Sequence, residues 1–219
     1  MDRFIIHSIP GSPYGRAALM ALEEKSVPYR LVPVAPAQFG SKERLARHPF
    51  AKVPVLEHGG FWLYETQAIL RYIDRATPGP ALIPADIKTQ ALMDQLLNVT
   101  DAYLFREVSG VICFQRIVGP ALMRLPPDEA VIAATMPHAE AVIGILARTL
   151  GAQPYFTGDA FTLADLSLAA HLGFLAMTPE WATLAAPHEN LRNWLARMNA
   201  RPSMQATTWD KVREMAQAA

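Results

Sequence analysis

Two hydroxyl-bearing positions stand at predicted helix starts, where backbone N–H groups lack intrahelical partners and favour negative charge. The first is Ser12, preceded by the loop of residues 8–11 and followed by Pro13. Serine is a favoured N-cap, and proline suits the first helical position because its missing N–H costs nothing there. The second is Glu65-Thr66, ahead of a helix with Ala68, Ile69, Tyr72 and Ile73 on one face. Between them runs Lys52-Val53-Pro54-Val55. It offers a cation and a proline within a predicted strand, where proline donates no ladder bond and so belongs at an edge or a bend. Hydroxyls, a lysine, a carboxylate and free backbone N–H groups at two helix starts describe chemistry done by hydrogen bonding and electrostatics.

Other reactive side chains point elsewhere. The six histidines show no His-Glu-x-x-His or comparable ligand spacing, so no metal is expected. The one cysteine, Cys113, lies in Val-Ile-Cys-Phe and reads as a small buried hydrophobe. His171 lies in an apolar helix and reads as a hydrogen-bonded core residue.

The elements that must position these residues follow in order. Residues 4–7 form a strand, a helix opens at Ser12 and ends near Ser26-Val27-Pro28, and residues 29–34 form the next strand. A weaker helix is expected over 41–47. Val53, Val55 and Leu56 then lead through His58-Gly59-Gly60 into a returning strand over 61–64, a hairpin signal. Strand, helix, strand, then strand, strand, helix is a thioredoxin-like arrangement, whose crossover predicts a parallel pair at its start. Thr77-Pro78-Gly79-Pro80 and Ile83-Pro84 mark a rigid linker. Everything beyond it reads helical, with a break expected at Gly119-Pro120 and helices over 128–150, 163–177, 191–200 and from 207. The fold class is therefore an α/β thioredoxin-like N-terminal domain (1–77), a linker (78–85) and an all-α helical C-terminal domain (86–219).

The block from Lys52 to Tyr72 resembles the glutathione-binding half of the cytosolic glutathione transferases. The stretch from Ser12-Pro13-Tyr14 to Ala21-Leu22-Glu23-Glu24 resembles the start of their serine-type members, particularly tau-like and related bacterial groups. The match departs at Ala17, where the family often has a basic residue and this chain carries Arg16 one place earlier. The resemblance implies a cis bond at Pro54, Glu65 and Thr66 on the γ-glutamyl end of glutathione, and Ser12 on its sulfur. It further implies Lys52 on the glycine carboxylate and Val53 pairing through its backbone with the cysteinyl portion. Gln38 and Arg16 are further guesses for contacts. Read from the residues alone, Ser12 is a simple cap before it is a catalytic group, and Tyr14 and Ser8 are competing hydroxyls.

Phe161-Thr162-Leu163-Ala164-Asp165-Leu166 is a capping box with Asp as the fourth member, flanked by Phe161 and Leu166 as a staple. It also resembles a structural motif of the transferase helical domain, which assigns Asp165 to folding. The same resemblance suggests Tyr14, Tyr103, Phe105 and Val108 for the wall of a hydrophobic co-substrate pocket. Phe50, beside Pro49, matches an aromatic "key" that some dimeric members insert into the partner subunit, so a homodimer is expected.

Bulk properties exclude several classes. The formal net charge is zero, giving no general attraction to nucleic acid or acidic membranes. Residues 1–77 carry ten Lys/Arg against seven Asp/Glu, and the remainder ten against thirteen, a mild asymmetry that suits an anionic ligand in the first half. No uninterrupted apolar stretch of 18 residues is present, so no membrane span is expected, and the start lacks the features of a leader peptide. A cytoplasmic location is expected, in keeping with a single cysteine that cannot form an internal disulfide. The leading expectation is a glutathione S-transferase conjugating the thiolate to a hydrophobic electrophile. A glutathione-dependent disulfide reductase would need a cysteine in residues 8–16, and there is none. A non-catalytic binding or assembly module on the same fold is the alternative reading and ranks above that reductase.

Overall fold

The first strand, β1 (Phe4–Ser8), sends Phe4 and Ile6 into the core. The structure is a computed structural model and describes residues 3–218. Ser12 caps α1 (Pro13–Glu24), and residues 17–22 of that helix are buried all round. Four of these six residues are alanine or methionine, small or adaptable enough to let neighbouring elements approach closely. The second strand, β2 (Tyr29–Pro33), pairs parallel with β1, as the crossover requires. After a short 3₁₀ turn comes α2 (Lys42–Arg47), capped by Ser41 through the Arg44 N–H.

The hairpin forms as its Gly-Gly pair predicts. β3 (Val55–His58) and β4 (Phe61–Tyr64) are joined by Gly59 and Gly60, both at positive φ, the two-residue loop that matches strand twist. Pro54 lies just before β3 and not inside it, so no ladder bond is lost. Strand order is β2-β1-β3-β4, with β3 antiparallel to both neighbours. α3 (Thr66–Ala76) follows and buries Ile69, Leu70 and Ile73. The residues divide into two units, one of residues 3–83 with 200–218 and the other Pro84–Asn199.

Within the first unit, the segment expected as a linker is partly built in. Lys25, just past α1, is buried and pairs with Asp74 of α3 at 3.0 Å. Its ammonium also donates to the Pro80 carbonyl at 2.8 Å, while Asp74 accepts the Leu82 N–H at 2.8 Å. The last residues also belong to this unit, whereas the sequence reading assigned them to the helical domain. They form α10 (Pro202–Ala206) and α11 (Trp209–Gln217) once the second unit has ended. Arg201 pairs with Glu24 through two guanidinium nitrogens, Ser203 donates to the same carboxylate, and α11 lies against β2. Nothing in the local pattern of residues 200–218 names their partner, because the contacts are charged and specific.

The second unit opens with α4 (Ile87–Val99), capped by Asp86. The helix continues through a π-helical stretch (Thr100–Ser109), α5 (Gly110–Cys113) and a second π-helical stretch (Phe114–Met123). Gly119-Pro120 does not break it as expected. The wider π turn moves backbone away from the proline ring, and the helix ends only at Arg124, at φ 56°. α6 (Glu129–Leu150), α7 (Leu163–Leu175), α8 (Glu180–Ala185) and α9 (Glu189–Asn199) complete the unit. α6 is long and apolar enough to cross a membrane, but its buried residues fall on one face, as in a core helix of a bundle.

Asp165 is the buried polar centre of this unit. Its carboxylate accepts N–H bonds from Phe156, Thr162 and the Trp194 indole, and the Thr162 hydroxyl also donates to it. Burial pushes its pKa up, and these donors act in the opposite direction. His171, fully buried nearly two turns further on, donates from Nδ1 to the Ser167 carbonyl at 2.8 Å. Burial lowers its pKa to about 4. Above about pH 6.5 the ring is neutral in folded and unfolded chains alike. As pH falls from there toward about 4, the unfolded chain takes up a proton that the folded one refuses. Stability should therefore fall over that interval, by up to about 3 kcal/mol from this group. Urea titrations across pH should show this slope in the wild type and a shallower one in His171→Gln.

Candidate functional site

Strand register brings the three sequence motifs of the first unit to one edge of the sheet. His7, near the end of β1, pairs with Val55 at the start of β3, and Val55 pairs with Tyr64 at the end of β4. The loop to Ser12, the Val53-Pro54 segment and the Glu65-Thr66 start of α3 therefore all emerge there. The helices agree with the strands. Lys25 at the end of α1 holds Asp74 near the end of α3, so the packed helices run in the same direction and both open at that edge. Two partial positive charges of helix N-termini face one place.

Ser12 is 8% exposed, and its Oγ accepts the Gly15 N–H at 3.1 Å. This is the capping role, yet it uses only an oxygen lone pair and leaves the hydroxyl hydrogen for a second bond. Capping and donation to an anion are thus compatible. Ser8 is removed from competition by packing. A Cβ on Gly15 would lie 2.1 Å from the Ser8 Oγ, so the first turn of α1 sits directly upon that side chain, which is 1% exposed. Tyr14 is half-buried in the same turn. Arg16 turns to the C-terminal segment, donating to the Met204 carbonyl at 3.2 Å.

The approach to β3 is fixed by two residues that pattern reading missed. Arg44 is buried, and its guanidinium donates to the Lys52 carbonyl at 3.3 Å. His48 is buried, and its Nδ1 accepts the Phe50 N–H at 3.3 Å while its ring lies 4.7 Å from that of Tyr64. Burial lowers the His48 pKa, the Glu65 carboxylate opposes this, and Arg44 and Lys52 reinforce it. The only local signal was Ser41, which marks the helix carrying Arg44. Lys52 is exposed, Val53 half-buried, and the Val53–Pro54 bond is cis, as the family resemblance implied. Gln38 is engaged locally, accepting the Ala35 N–H at 2.8 Å. Phe50 projects outward at 68% exposure, touching His48 and Tyr64 only edge-on.

Glu65 adopts φ 71°, ψ 113°, a backbone region costly for any residue but glycine. Its side chain is exposed and does not cap α3, and it stands beside buried Thr66. Among the described residues, no cluster of three or more His, Cys, Asp or Glu could hold a metal ion.

In the second unit, a cavity of about 630 Å³ lies beside the junction of the first π-helical stretch with α5. Phe105, Arg106, Gly110, Val111, Phe114 and Gln115 line it. Of the four residues expected in such a wall, three lie in this unit: Phe105 is there, Val108 is wholly buried in the core and Tyr103 is half exposed. One helix cannot turn three such closely spaced side chains to one cavity.

The fold and the site define a thioredoxin-like unit presenting paired helix termini, accompanied by a helical unit. Residues 6–81 match the family model for the glutathione S-transferase N-terminal domain, and residues 129–197 that for its C-terminal domain. The chain is 32% identical to a probable glutathione S-transferase, GSTF2, of Oryza sativa subsp. japonica over 187 residues, covering 84% of this chain and 86% of that one. It is similar to the solved structure of glutathione S-transferase III in apo form, with TM-score 0.83, 31% identity and coverage of 94% and 95%. It is also similar to maize glutathione S-transferase I in complex with an atrazine glutathione conjugate, with TM-score 0.84, 25% identity and 99% coverage of each chain. The chain belongs to the glutathione S-transferase family, and it is similar to the plant phi-class members.

Because Glu65 holds a strained backbone, replacing it should stabilise the fold. Glu65→Gly should gain about 1 kcal/mol, strain relief outweighing the greater chain entropy of glycine. Chemical denaturation of the two proteins checks this, and a loss of stability would locate no strain at Glu65.

Proposed function

We propose that this chain is a glutathione transferase that joins the glutathione sulfur to a hydrophobic electrophile. The observation that carries the reading is the Ser12 hydroxyl, whose cap bond to Gly15 leaves its hydrogen available at the edge where Val53 and Glu65 also emerge. Glutathione is the co-substrate. Glu65 and Thr66 hold its γ-glutamyl end with the first amides of α3, Lys52 meets its glycine carboxylate, and Val53 pairs with its cysteinyl portion like an added strand. Pro54 fixes the entry to β3.

The chemistry follows from charge. A thiol near pKa 8.5 is mostly protonated at neutral pH, and its thiolate is the nucleophile. A hydrogen bond to a charged group contributes about 1.5–3 kcal/mol, which acting on the thiolate alone amounts to about one to two pKa units. The N-terminus of α1 adds about 0.3–1 kcal/mol. The thiolate then attacks an electrophilic carbon, forming a thioether by addition or by expelling a leaving group, and no protein base is needed. Tyr14, in the same first turn of α1 that follows Ser12, is the candidate for contacting the electrophile. The maize relative's bound atrazine conjugate supports a substitution of this type.

Thermal-shift titration with glutathione, followed by an aryl chloride panel that includes chlorotriazines, tests the reading. The melting temperature should rise with glutathione concentration, and a thioether should accumulate. Binding without turnover would instead support the non-catalytic module. Ser12→Ala should raise the apparent thiol pKa of bound glutathione by about one to two units and cut turnover near pH 7 roughly tenfold or more. Glutathione affinity should stay nearly unchanged, because Ser12 acts at the sulfur. Thr66→Ala should do the reverse, weakening binding before it alters the pH profile.

A homodimer accompanies this proposal. Phe50 is a large exposed aromatic in a loop fixed by His48 and Arg44, and burying it across a two-fold interface would contribute about 1.5–3 kcal/mol per copy. Sedimentation of the wild type should give a dimer that Phe50→Ala weakens. A monomeric wild type at micromolar concentration removes the dimer, and an undiminished mutant dimer removes only Phe50's part in it.

A further inference from the structure

Three successive residues ahead of β3 have their backbone held by α2 and by the residue that ends it. The Phe50 N–H donates to the His48 Nδ1 at 3.3 Å, the Ala51 N–H donates to the His48 carbonyl at 2.9 Å, and the Lys52 carbonyl accepts from Arg44 at 3.3 Å. Ala51 has φ 53°, a left-handed conformation that a residue with a Cβ keeps only where its surroundings impose it. Val53 follows directly, with its cis bond to Pro54. His48 itself is 2% exposed and anchored to α2, its N–H donating to the Arg44 carbonyl at 2.8 Å, while the Tyr64 ring of β4 lies 4.7 Å from its own.

The bond to Phe50 fixes the protonation state of the ring. A backbone N–H can only donate, so Nδ1 presents its lone pair and the single ring hydrogen sits on Nε2. A protonated imidazole carries hydrogen on both nitrogens and cannot accept this bond. Burial disfavours a charge on the ring, Glu65 after β4 favours it, and Arg44 of α2 and Lys52 of the loop disfavour it, so its pKa lies below the ordinary value. The ring is therefore neutral near pH 7 and takes up a proton only in acid. We propose that His48 is a positioning residue for glutathione: with Nδ1 unprotonated it holds the run from Phe50 to Val53, and with a proton there it lets that run go. The inference rests on the glutathione reading above, in which Lys52 and Val53 meet the peptide. Its consequence is that acid weakens glutathione binding from beneath the site, through a side chain that does not touch the ligand.

The test is glutathione affinity, measured by titration calorimetry on the full chain between about pH 7 and about pH 5. Across that interval the carboxylates of glutathione stay ionised and its amine and thiol stay protonated, so the ligand itself adds little slope. The wild-type dissociation constant should rise about threefold to tenfold toward the acid end, as expected for releasing one hydrogen bond. His48→Asn keeps an acceptor oxygen close to the place of Nδ1 but takes up no proton. It should bind within about twofold of the wild type near pH 7 and show no slope. Without glutathione, the Phe50 amide resonance should titrate over the same interval in the wild type and stand still in His48→Asn. If His48→Asn does not fold, the wild-type slope and the Phe50 amide decide. Wild-type affinity that is flat with pH, or that tightens in acid as a bare positive charge beside an anion would make it do, overturns the proposal. So does a His48→Asn protein that keeps the wild-type slope. A wild type that binds no glutathione at any pH overturns the underlying reading instead, so the two failures are distinct.

Discussion

The buried pair of Lys25 and Asp74 is the constraint on which the first unit's geometry depends. It joins the C-terminal ends of α1 and α3, and so decides that their N-terminal ends open together. Both charges are nearly sealed from water, which makes the pair costly unless every polar atom is used. The carbonyl of Pro80 and the N–H of Leu82 use what remains. Removing one partner would strand the other, a change that typically costs about 3–5 kcal/mol. The pair therefore specifies direction and register more than it adds stability, and the chain leaving the unit is bound into the same arrangement.

At the opposite ends of those helices the design is reversed. Where α1 and α3 begin, hydrogen-bonding capacity faces outward: a hydroxyl with a hydrogen to spare, an uncapped helix start and a carboxylate on strained backbone. Such features lower stability in the empty protein, and the surrounding structure has to hold them in place. That role falls to buried polar side chains. Arg44 fixes the carbonyl of Lys52, His48 holds the amide of Phe50 and packs against Tyr64, and Ser8 lies against the first turn of α1. Lys52 and Glu65 are exposed, Ser12 and Thr66 lie just beneath the surface, and the side chains that hold them are buried.

The second unit solves a different problem, holding a long helix of changing pitch. Its two π-helical stretches flank a single turn of α-helix at Gly110–Cys113, beside the cavity lined by Phe105 and Phe114. Wide turns shift side chains around the axis and commonly accompany binding sites. Stability comes from elsewhere in the unit, above all Asp165, whose carboxylate ties the start of α7 to Phe156 and Trp194. Arg116 adds a paired link to Glu129 and Glu180.

What the sequence by itself determined is whatever local chemistry can determine. Gly59-Gly60 required a hairpin, Ser12-Pro13 and Thr162 through Asp165 required helix starts, and strand-helix-strand order required a parallel pair. The places of Ser12, Lys52 to Pro54 and Glu65-Thr66 at element boundaries were legible for the same reason, whereas their roles toward glutathione were implied only by the family resemblance. Tertiary structure decided what depends on partners distant in the chain. Lys25 with Asp74, Arg44 with the loop of Lys52, and Arg16 and Glu24 with the C-terminal segment are charged contacts that leave no periodic trace. It also carried the helix through Gly119-Pro120, where local propensity called for a stop and a wider turn relieved the clash. Short-range sterics and capping act within a few residues and are written in the sequence. Buried charges are placed by the whole fold, because only the folded chain shows which of them meet.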